Sequence, residues 1–412
     1  MFIQLLRAFA DSLVRNGFRS TIWKTILYLV KDSSLTSTYL LEEGVVIPSS
    51  FIEAPKNIKP EVRAIAFYLP QFHRIPENDR WWGDGFTEWS NVRRAKSYFL
   101  YHYQPQVPHS DLGYYDLSDE SIMEKQVQMA GQSGIYGFCF YYYWFSGKRL
   151  LEMPVDRLLQ TKRPDFPFCL CWANESWSRR WDGNDTQDME VLIAQKYSEQ
   201  DSHDFILNII PFFKDKRYIR VNGAPLFLVY RPQEIPQAEK VFDHWRRICR
   251  QEGVGEIHLA GVASREYYDF EKMGMNALIE FPPHRIDGSI LNHINYGVSS
   301  DFKGKIYDYR QIRNNFLKTN YKKSLVYRGL MSSWDNTARR MDRSLAFVGS
   351  SPTAYYAWLR RAVELTCQQR VGDERLLFIN AWNEWAEGCH LEPDERDGYA
   401  WLNATRKAIL GD

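Results

Sequence analysis

The chain has 412 residues, 44% hydrophobic and 25% charged, so it can build a full core and carries no low-complexity or disordered composition. A formal charge of only +1 argues against a nucleic-acid partner, which would require a basic field. The aromatic fraction of 15%, with 14 Trp and 25 Tyr, is high; such rings either pack on the apolar faces of sugars or fill a Tyr-rich core, and composition alone does not choose.

From the N-terminus, Phe2, Leu5, Leu6, Phe9 and Leu13, then Ile22, Trp23, Ile26 and Val30, recur at helical spacing. Arg7, Arg15, Arg19, Lys24 and Lys31 stand among them against Asp11 alone. Arg7 and Asp11 interrupt the apolar stretch, which is not the pattern of a signal peptide, and no run reaches the length of a spanning helix. This segment reads as an amphipathic helix packed on the rest of the chain or on a partner. Peripheral membrane contact through residues 1–31 is the second reading. A connector follows, so the expected division is 1–60 for helix and connector and 61–412 for a catalytic domain.

From Val62 onward, short apolar runs alternate with helical segments. The predicted strands are Arg63–Leu69, Ile135–Tyr143, Phe166–Trp172, Pro225–Tyr230, Ile257–Val262, Ala277–Phe281, Ser324–Ser332 and Leu376–Ala381. Helices are predicted from Ser118, as N-cap, to Ala130, and from Pro352 through Thr366. Eight nearly all-apolar strands alternating with helices predict an α/β fold, a (β/α)8 TIM-type barrel with an N-terminal helical extension. A doubly wound open sheet is the alternative, but no glycine-rich phosphate loop follows any strand. Cys139, Cys169, Cys171, Cys249, Cys367 and Cys389 are scattered; with the first three inside strands, they read as buried thiols of a reducing, cytoplasmic protein.

In such a barrel, functional residues sit just past the carboxyl ends of the strands. Those positions hold Tyr68, Gln71 and His73, then Trp82, Glu88 and Trp89, after the first strand. Tyr143 and Trp144 end the second, and Trp172, Asn174, Glu175 and Trp177, followed by Arg179 to Asp182, end the third. Tyr230, His284, and Trp334 with Asp335 follow the fourth, sixth and seventh strands. The last strand runs into Trp382, Asn383, Glu384, Trp385 and Glu387. Any one of these has an ordinary structural explanation; together they describe an aromatic-walled, hydrogen-bonding cleft suited to a pyranose. Glu384 and Glu387 are three apart, so a helical turn there brings them to about 5–6 Å at Cβ. Mutual repulsion then raises the pKa of one, which serves as acid while the other serves as base. Two close carboxyl groups suit a retaining glycosidase, with a separation of about 5–5.5 Å, better than an inverting one.

The segments Ala66 to His73, Trp81 to Trp89, Gly137 to Trp144, Cys171 to Trp177 and Asn380 to Gly388 resemble, in order, the WbsX family. That family is described as glycosyltransferases or glycosyl-hydrolase-like proteins of bacterial surface-polysaccharide clusters, related to the endo-α-mannosidases of glycoside hydrolase family 99. The resemblance spans Val62 to the C-terminus. It implies a (β/α) barrel and retention through the sugar's own 2-hydroxyl, which one Glu deprotonates while a second acts as acid and then base. Glu384 resembles the first and Glu387 the second, and Tyr68 and Tyr230 resemble sugar-contacting tyrosines. The same mechanism implies an α-manno-configured sugar or a close relative such as rhamnose. Trp172-Ala-Asn-Glu175 and Cys389-His390 depart from the hydrolase pattern, so the substrate does not transfer with the fold.

Three functions follow in order of support. The first is a retaining enzyme acting on α-linked sugars of a bacterial polysaccharide or its precursor. The second is a nucleotide-sugar-dependent glycosyltransferase of O-antigen or capsule (lipopolysaccharide) assembly, although no Asp-x-Asp motif is present. The third is a non-catalytic sugar-binding barrel. The nine histidines form no tight metal set, and no cofactor or metal is expected. The expected partner is an oligo- or polysaccharide, with no nucleic acid.

Overall fold

The computed structural model describes residues 42, 44–54, 58–179, 190–264, 268–284, 286, 288–321 and 324–411. Two compact units divide at Val45, and the second, Val46–Asp412, contains every strand and helix named below. The amphipathic segment 1–31, and the Arg180 to Asp182 run, lie outside the described residues.

Eight parallel strands close on themselves: β1 (Arg63–Tyr68), β2 (Ile135–Phe145), β3 (Phe168–Trp172), β4 (Ala224–Val229), β5 (His258–Val262), β6 (Ala277–Ile279), β7 (Val326–Met331) and β8 (Leu376–Asn380). Each pairs with the next, and β8 returns to β1 with Ala66 opposite Ile379. That last pairing removes both sheet edges and excludes the open doubly wound alternative. The apolar character of the strands has its cause here, since one face fills the barrel and the other lies under the helices. Ala64 to Tyr68, for example, are all at 0% exposure.

The longer helices are α1 (Glu120–Gln132), α2 (Met153–Thr161), α3 (Glu199–Phe213), α4 (Ala238–Gln251), α5 (Tyr309–Lys318), α6 (Pro352–Gln369) and α7 (Ala400–Leu410). Ser351 caps α6, accepting from Ala354 N at 3.1 Å, with Pro352 in the first turn as expected. The start of α1 differs from expectation by one residue. Asp116 Oδ1 accepts from Ser118 N at 2.7 Å and holds Ser118 in an Asx-type turn, so Asp119 becomes the cap, accepting from Ser121 N at 2.9 Å. Part of the expected connector lies against the helices: Asn403 Nδ2 donates to the Pro48 and Ser50 carbonyls at 2.8 and 2.7 Å, and Ala54 N donates to Gln132 Oε1 at 2.9 Å.

One aromatic layer closes the upper barrel. Phe67 of β1 meets Tyr141 at 5.6 Å, Phe281 at 4.9 Å and Phe378 at 5.8 Å between ring centroids. Beside it, β6 and β7 approach so closely at Gly329 that an added Cβ would stand 1.8 Å from the Glu280 carbonyl oxygen. Gly329 N also donates to the buried Glu280 carboxylate at 3.1 Å. Gly329→Ala must therefore push two paired strands apart, and chemical denaturation should show a loss of at least about 1–3 kcal/mol. Unchanged stability would mean that the barrel yields locally at no cost.

Candidate active site

The β8 end is shaped by its own short hairpin. Trp382 N donates to Phe67 O at 2.8 Å, and Asn383 and Glu384 pair antiparallel with His390 and Cys389. Between them, Trp385–Glu387 forms one 3-10 turn, the helical turn expected of this segment. Gly388 ends it in the left-handed region at φ 56, and an added Cβ would lie 2.8 Å from Gln106 Nε2 and 3.0 Å from Asp335 N. The hairpin is also clamped from the side: the Asn383 amide accepts from Leu69 N at 2.7 Å and donates to Leu69 O at 3.0 Å, as a backbone strand would.

Glu384 and Glu387 then meet a partner that motif reading passed over. Arg339, in a short helix after β7 (Thr337–Arg340), donates Nη2 to Glu384 at 2.9 Å, Nη1 to Glu387 at 2.6 Å and Nε to Glu88 at 2.7 Å. Two carboxylates that bond the two terminal nitrogens of one guanidinium necessarily face the same space. The Arg339 loop is itself tied to this turn, since Asp335 N donates to Glu387 O at 2.7 Å and Ser333 Oγ to Gly388 O. Asp335 further accepts from Thr337 N at 3.0 Å and Gln104 Nε2 at 2.7 Å, and pairs with His102 at 2.6 Å. Glu88 opens the short helix Glu88–Arg94, and its N–H donates to Gln71 O at 3.1 Å, linking the first two sequence motifs.

Burial dominates the electrostatics. One guanidinium cannot balance three carboxylates, of which Glu88 and Glu384 are buried and Glu387 half-buried, so a proton is retained. Glu384 is pushed up to about 8, first by burial and then, against the pull of Arg339, by the charges of Glu387 and Glu88. Glu387 is raised as well, again chiefly by burial. The two titrate as a pair rather than independently.

These acids stand at the base of a cavity of about 940 Å³ at the carboxyl ends of the strands. Of the residues expected in a cleft, Tyr143, Glu175, Tyr230, His284, Trp334, Glu384 and Glu387 line it together. Tyr141, Trp177, Phe281 and Arg231 join them; Arg231 pairs with Glu175, and Tyr230 OH lies 3.2 Å from His284 Nε2. The hydroxyls of Tyr141, Tyr143 and Tyr230 are raised well above the phenol value by burial, then by the neighbouring Glu384 or Glu175 charge, so they remain donors.

The other candidates do not line this cavity. Glu88, Trp89, Trp382, Asn383 and Trp385 are buried, with Trp89 and Trp385 centroids 5.4 Å apart. Trp385 Nε1 donates to Glu392 at 2.6 Å, and Glu392 also accepts from Gln126 at 2.6 Å and Tyr115 at 3.0 Å. Tyr68 donates to Gln126 Oε1 at 2.7 Å and so belongs to this inner network, and Gln71 and His73 are buried near the β1 end. Asn174 is fully buried and braces the β4 end, accepting from Arg231 N at 2.8 Å. Trp172 packs on Phe205 at 4.4 Å, Trp82 lies beneath the Arg179 guanidinium at 5.8 Å, and Asp335 holds the Arg339 loop. Among the described residues no group of three or more His, Cys, Asp or Glu is arranged to hold a metal ion. No helix among them is long and apolar enough to cross a membrane.

Two stability measurements test this arrangement. Arg339→Met strands the buried carboxylates of Glu88 and Glu384 and should cost about 3–5 kcal/mol. Glu384 releases its proton at about 4.3 in an unfolded chain but at about 8 in the fold, so the folded form holds the extra proton and stability falls as pH rises between those values. Glu384→Gln removes that contribution, and its stability profile from about pH 5 to 8 should be flatter than wild type; parallel profiles would refute the shift.

Known proteins resemble this chain in sequence and in fold. The sequence model of the family described as Glycosyltransferase WbsX matches residues 64–405. Two proteins named WxcX, from Xanthomonas campestris pv. campestris strains B100 and ATCC 33913, are each 44% identical over 345 residues, covering 84% of this chain and 49% of theirs. The chain thus spans about half the length of these curated relatives. A solved structure titled "Glycoside hydrolase-like protein" aligns with TM-score 0.52 at 13% identity, over 90% of this chain and 99% of that one, a likeness of fold. The GH99 endo-alpha-mannosidase from Bacteroides thetaiotaomicron aligns with TM-score 0.49 at 16% identity, over 84% and 98% respectively. The family match covers nearly all of the barrel and both glutamates, and the chain belongs to the WbsX family.

Proposed function

We propose that this chain is a retaining carbohydrate-active enzyme that acts on α-linked, mannose- or rhamnose-type bonds of a bacterial surface polysaccharide or its precursor. The observation that carries the reading is the pair of Glu384, buried, and Glu387, half-buried, on adjacent nitrogens of one guanidinium, at the base of an aromatic cavity. Family membership supports the carbohydrate class.

In the proposed reaction, Glu384 takes the proton of the sugar's 2-hydroxyl as that oxygen closes on the anomeric carbon, while Glu387 protonates the departing glycosidic oxygen. Glu387 next takes a proton from water or an acceptor hydroxyl, which opens the anhydro ring from the opposite face. Glu384 then returns its proton to the 2-oxygen. Two inversions give net retention. Once ionised, Glu384 is a strong base for a weakly acidic hydroxyl because its pKa is raised, and the single proton that the pair retains must then stand on Glu387. Arg339 keeps the pair's charge tolerable in both steps. Tyr143 and Tyr230 are placed to donate to sugar oxygens, and Trp334 and Trp177 to face its apolar side.

A nucleotide-sugar-dependent transferase is the second reading, supported by the family's description as glycosyltransferases. Product release from α-mannosyl and α-rhamnosyl oligosaccharides, with and without a nucleotide-sugar donor, separates the two. Donor-independent cleavage should fall about 10²–10⁴-fold in Glu384→Gln and in Glu387→Gln. Activity only with a donor would establish the second reading, and activity untouched by either change would remove both glutamates from the chemistry. Because the reaction needs Glu384 ionised and Glu387 protonated in the same molecule, kcat/KM should follow a bell-shaped pH profile and fall as pH climbs through about 8, where the pair loses its last proton. A rate that keeps rising well past pH 8 would contradict that assignment.

A further inference from the structure

Trp172, expected at the sugar cleft, stands instead in the wall of a second cavity, of about 500 Å³, between the first turns of α3 and α4. Beside it, Trp245 donates its indole N–H to Ser202 Oγ at 2.9 Å, whereas the buried indole N–H of Trp172 finds no partner in the protein. An unpaired buried donor is costly, and folded proteins pair nearly all of theirs. The two helices also bring a directional chain of hydrogen bonds to this cavity. Arg247 Nη2 can only donate, so His244 Nδ1, 3.1 Å away, accepts. The His244 proton is therefore on Nε2, which donates to His203 Nδ1 at 3.3 Å, and His203 carries its own proton on Nε2. Burial and then the Arg247 charge lower the His244 pKa, in keeping with a neutral ring.

A cavity between helices, aromatic at its floor and bearing a few fixed polar groups, is the usual form of a small-molecule site. Among the described residues its lining sets Glu199 and Asp201 against Lys240 and Arg247, so neither sign of charge dominates and no ion is favoured. Indole and imidazole N–H groups donate there while carboxylates accept, and hydroxyls are the ligand groups that answer both. We infer that this cavity is a second sugar site, which binds a neutral saccharide unit apart from the one held at Glu384 and Glu387. The two sites share a wall. Tyr197, in the lining of the second, donates to Asn174 O at 3.3 Å and accepts from Asn174 Nδ2 at 3.0 Å. Asn174 in turn bonds the backbone N and O of Arg231, in the lining of the first, at 2.8 Å each. A glycan that reaches both sites is held at two points, which raises its effective concentration at the glutamates. That consequence rests on the carbohydrate reading above, whereas the site rests on its own lining.

The test is an NMR titration of the full chain observed at its tryptophan indole N–H signals. Methyl α-mannoside, methyl α-rhamnoside and maltose are the neutral probes, and inorganic phosphate is the anionic one. The Trp172 signal is the one missing from Trp172→Phe, or the one that His203→Ala displaces if that buried change prevents folding. Trp334, assigned in the same way, lines the first cavity and reports that site in the same spectra. At least one neutral probe should shift the Trp172 signal saturably. H203A/K240A, at a half-buried and an exposed position, should raise the midpoint of that shift about tenfold, the scale of one or two lost hydrogen bonds, and leave the Trp334 midpoint unchanged. A Trp172 signal that no neutral probe moves, or whose midpoint equals that of Trp334 in both proteins, overturns the inference. A tighter response to phosphate than to every sugar makes the cavity an anion site and overturns it too. Saturable sugar shifts at Trp172 with none at Trp334 would sustain the second site while sinking the sugar reading of the first, so the two failures are distinguishable.

Discussion

A single guanidinium organises the top of this barrel. Arg339 reaches Glu88 from the loop after β1 and Glu384 and Glu387 from the loop after β8, and is itself delivered by the loop after β7. Three carboxylates that would repel one another, and that burial would leave unsolvated, are thereby held at one point. The compensation is incomplete, and the incompleteness is chemically useful: with fewer positive than negative charges in the cluster, a proton stays with the glutamate pair near neutrality.

Everything around the cluster serves its stiffness. Asn383 is gripped by the Leu69 backbone, Asp335 N holds the Glu387 carbonyl, and Trp385 is anchored by Glu392, itself satisfied by Tyr115 and Gln126. Burial pushes Glu392 up to about 7 against the lowering effect of those same donors. The aromatic layer beneath, built from Phe67, Tyr141 and Phe281, gives the cavity a dry floor. A base and an acid meant to act in turn need this fixed geometry, because proton transfer falls off steeply with misplacement.

Much of this was legible in the residues. All eight strands were readable as apolar runs because a parallel barrel buries both faces, so each strand advertises itself without help from its neighbours. The three-residue spacing of Glu384 and Glu387, with Gly388 after it, announced a tight turn at a strand end. The tryptophans were less transparent: Trp89, Trp382 and Trp385 read as cleft walls, yet they are buried and do not line the cavity, whereas Trp177 does, together with Tyr141 and Phe281. A Trp at a strand end looks the same in either role, since local sequence does not state on which side of the loop the ring falls. Arg339 escaped notice because it follows Asp335 and Asn336 by only a few residues, in a stretch whose Arg339-Arg340 pair resembles any solvated basic turn.

The sequence by itself determined which segments become strands, how many there are, and that two glutamates share one turn at the end of the last. These are properties of nearest neighbours, written in hydrophobic periodicity and turn chemistry. Only the tertiary structure decided that Arg339 lies between Glu88 and the glutamate pair, across sequence separations of 251 and 45 residues. It likewise decided that Trp172, at the end of β3, lines a cavity between α3 and α4 rather than the one that holds those acids. Barrel closure brings the first, seventh and eighth loops together, and charge partnership follows distance in space rather than distance along the chain.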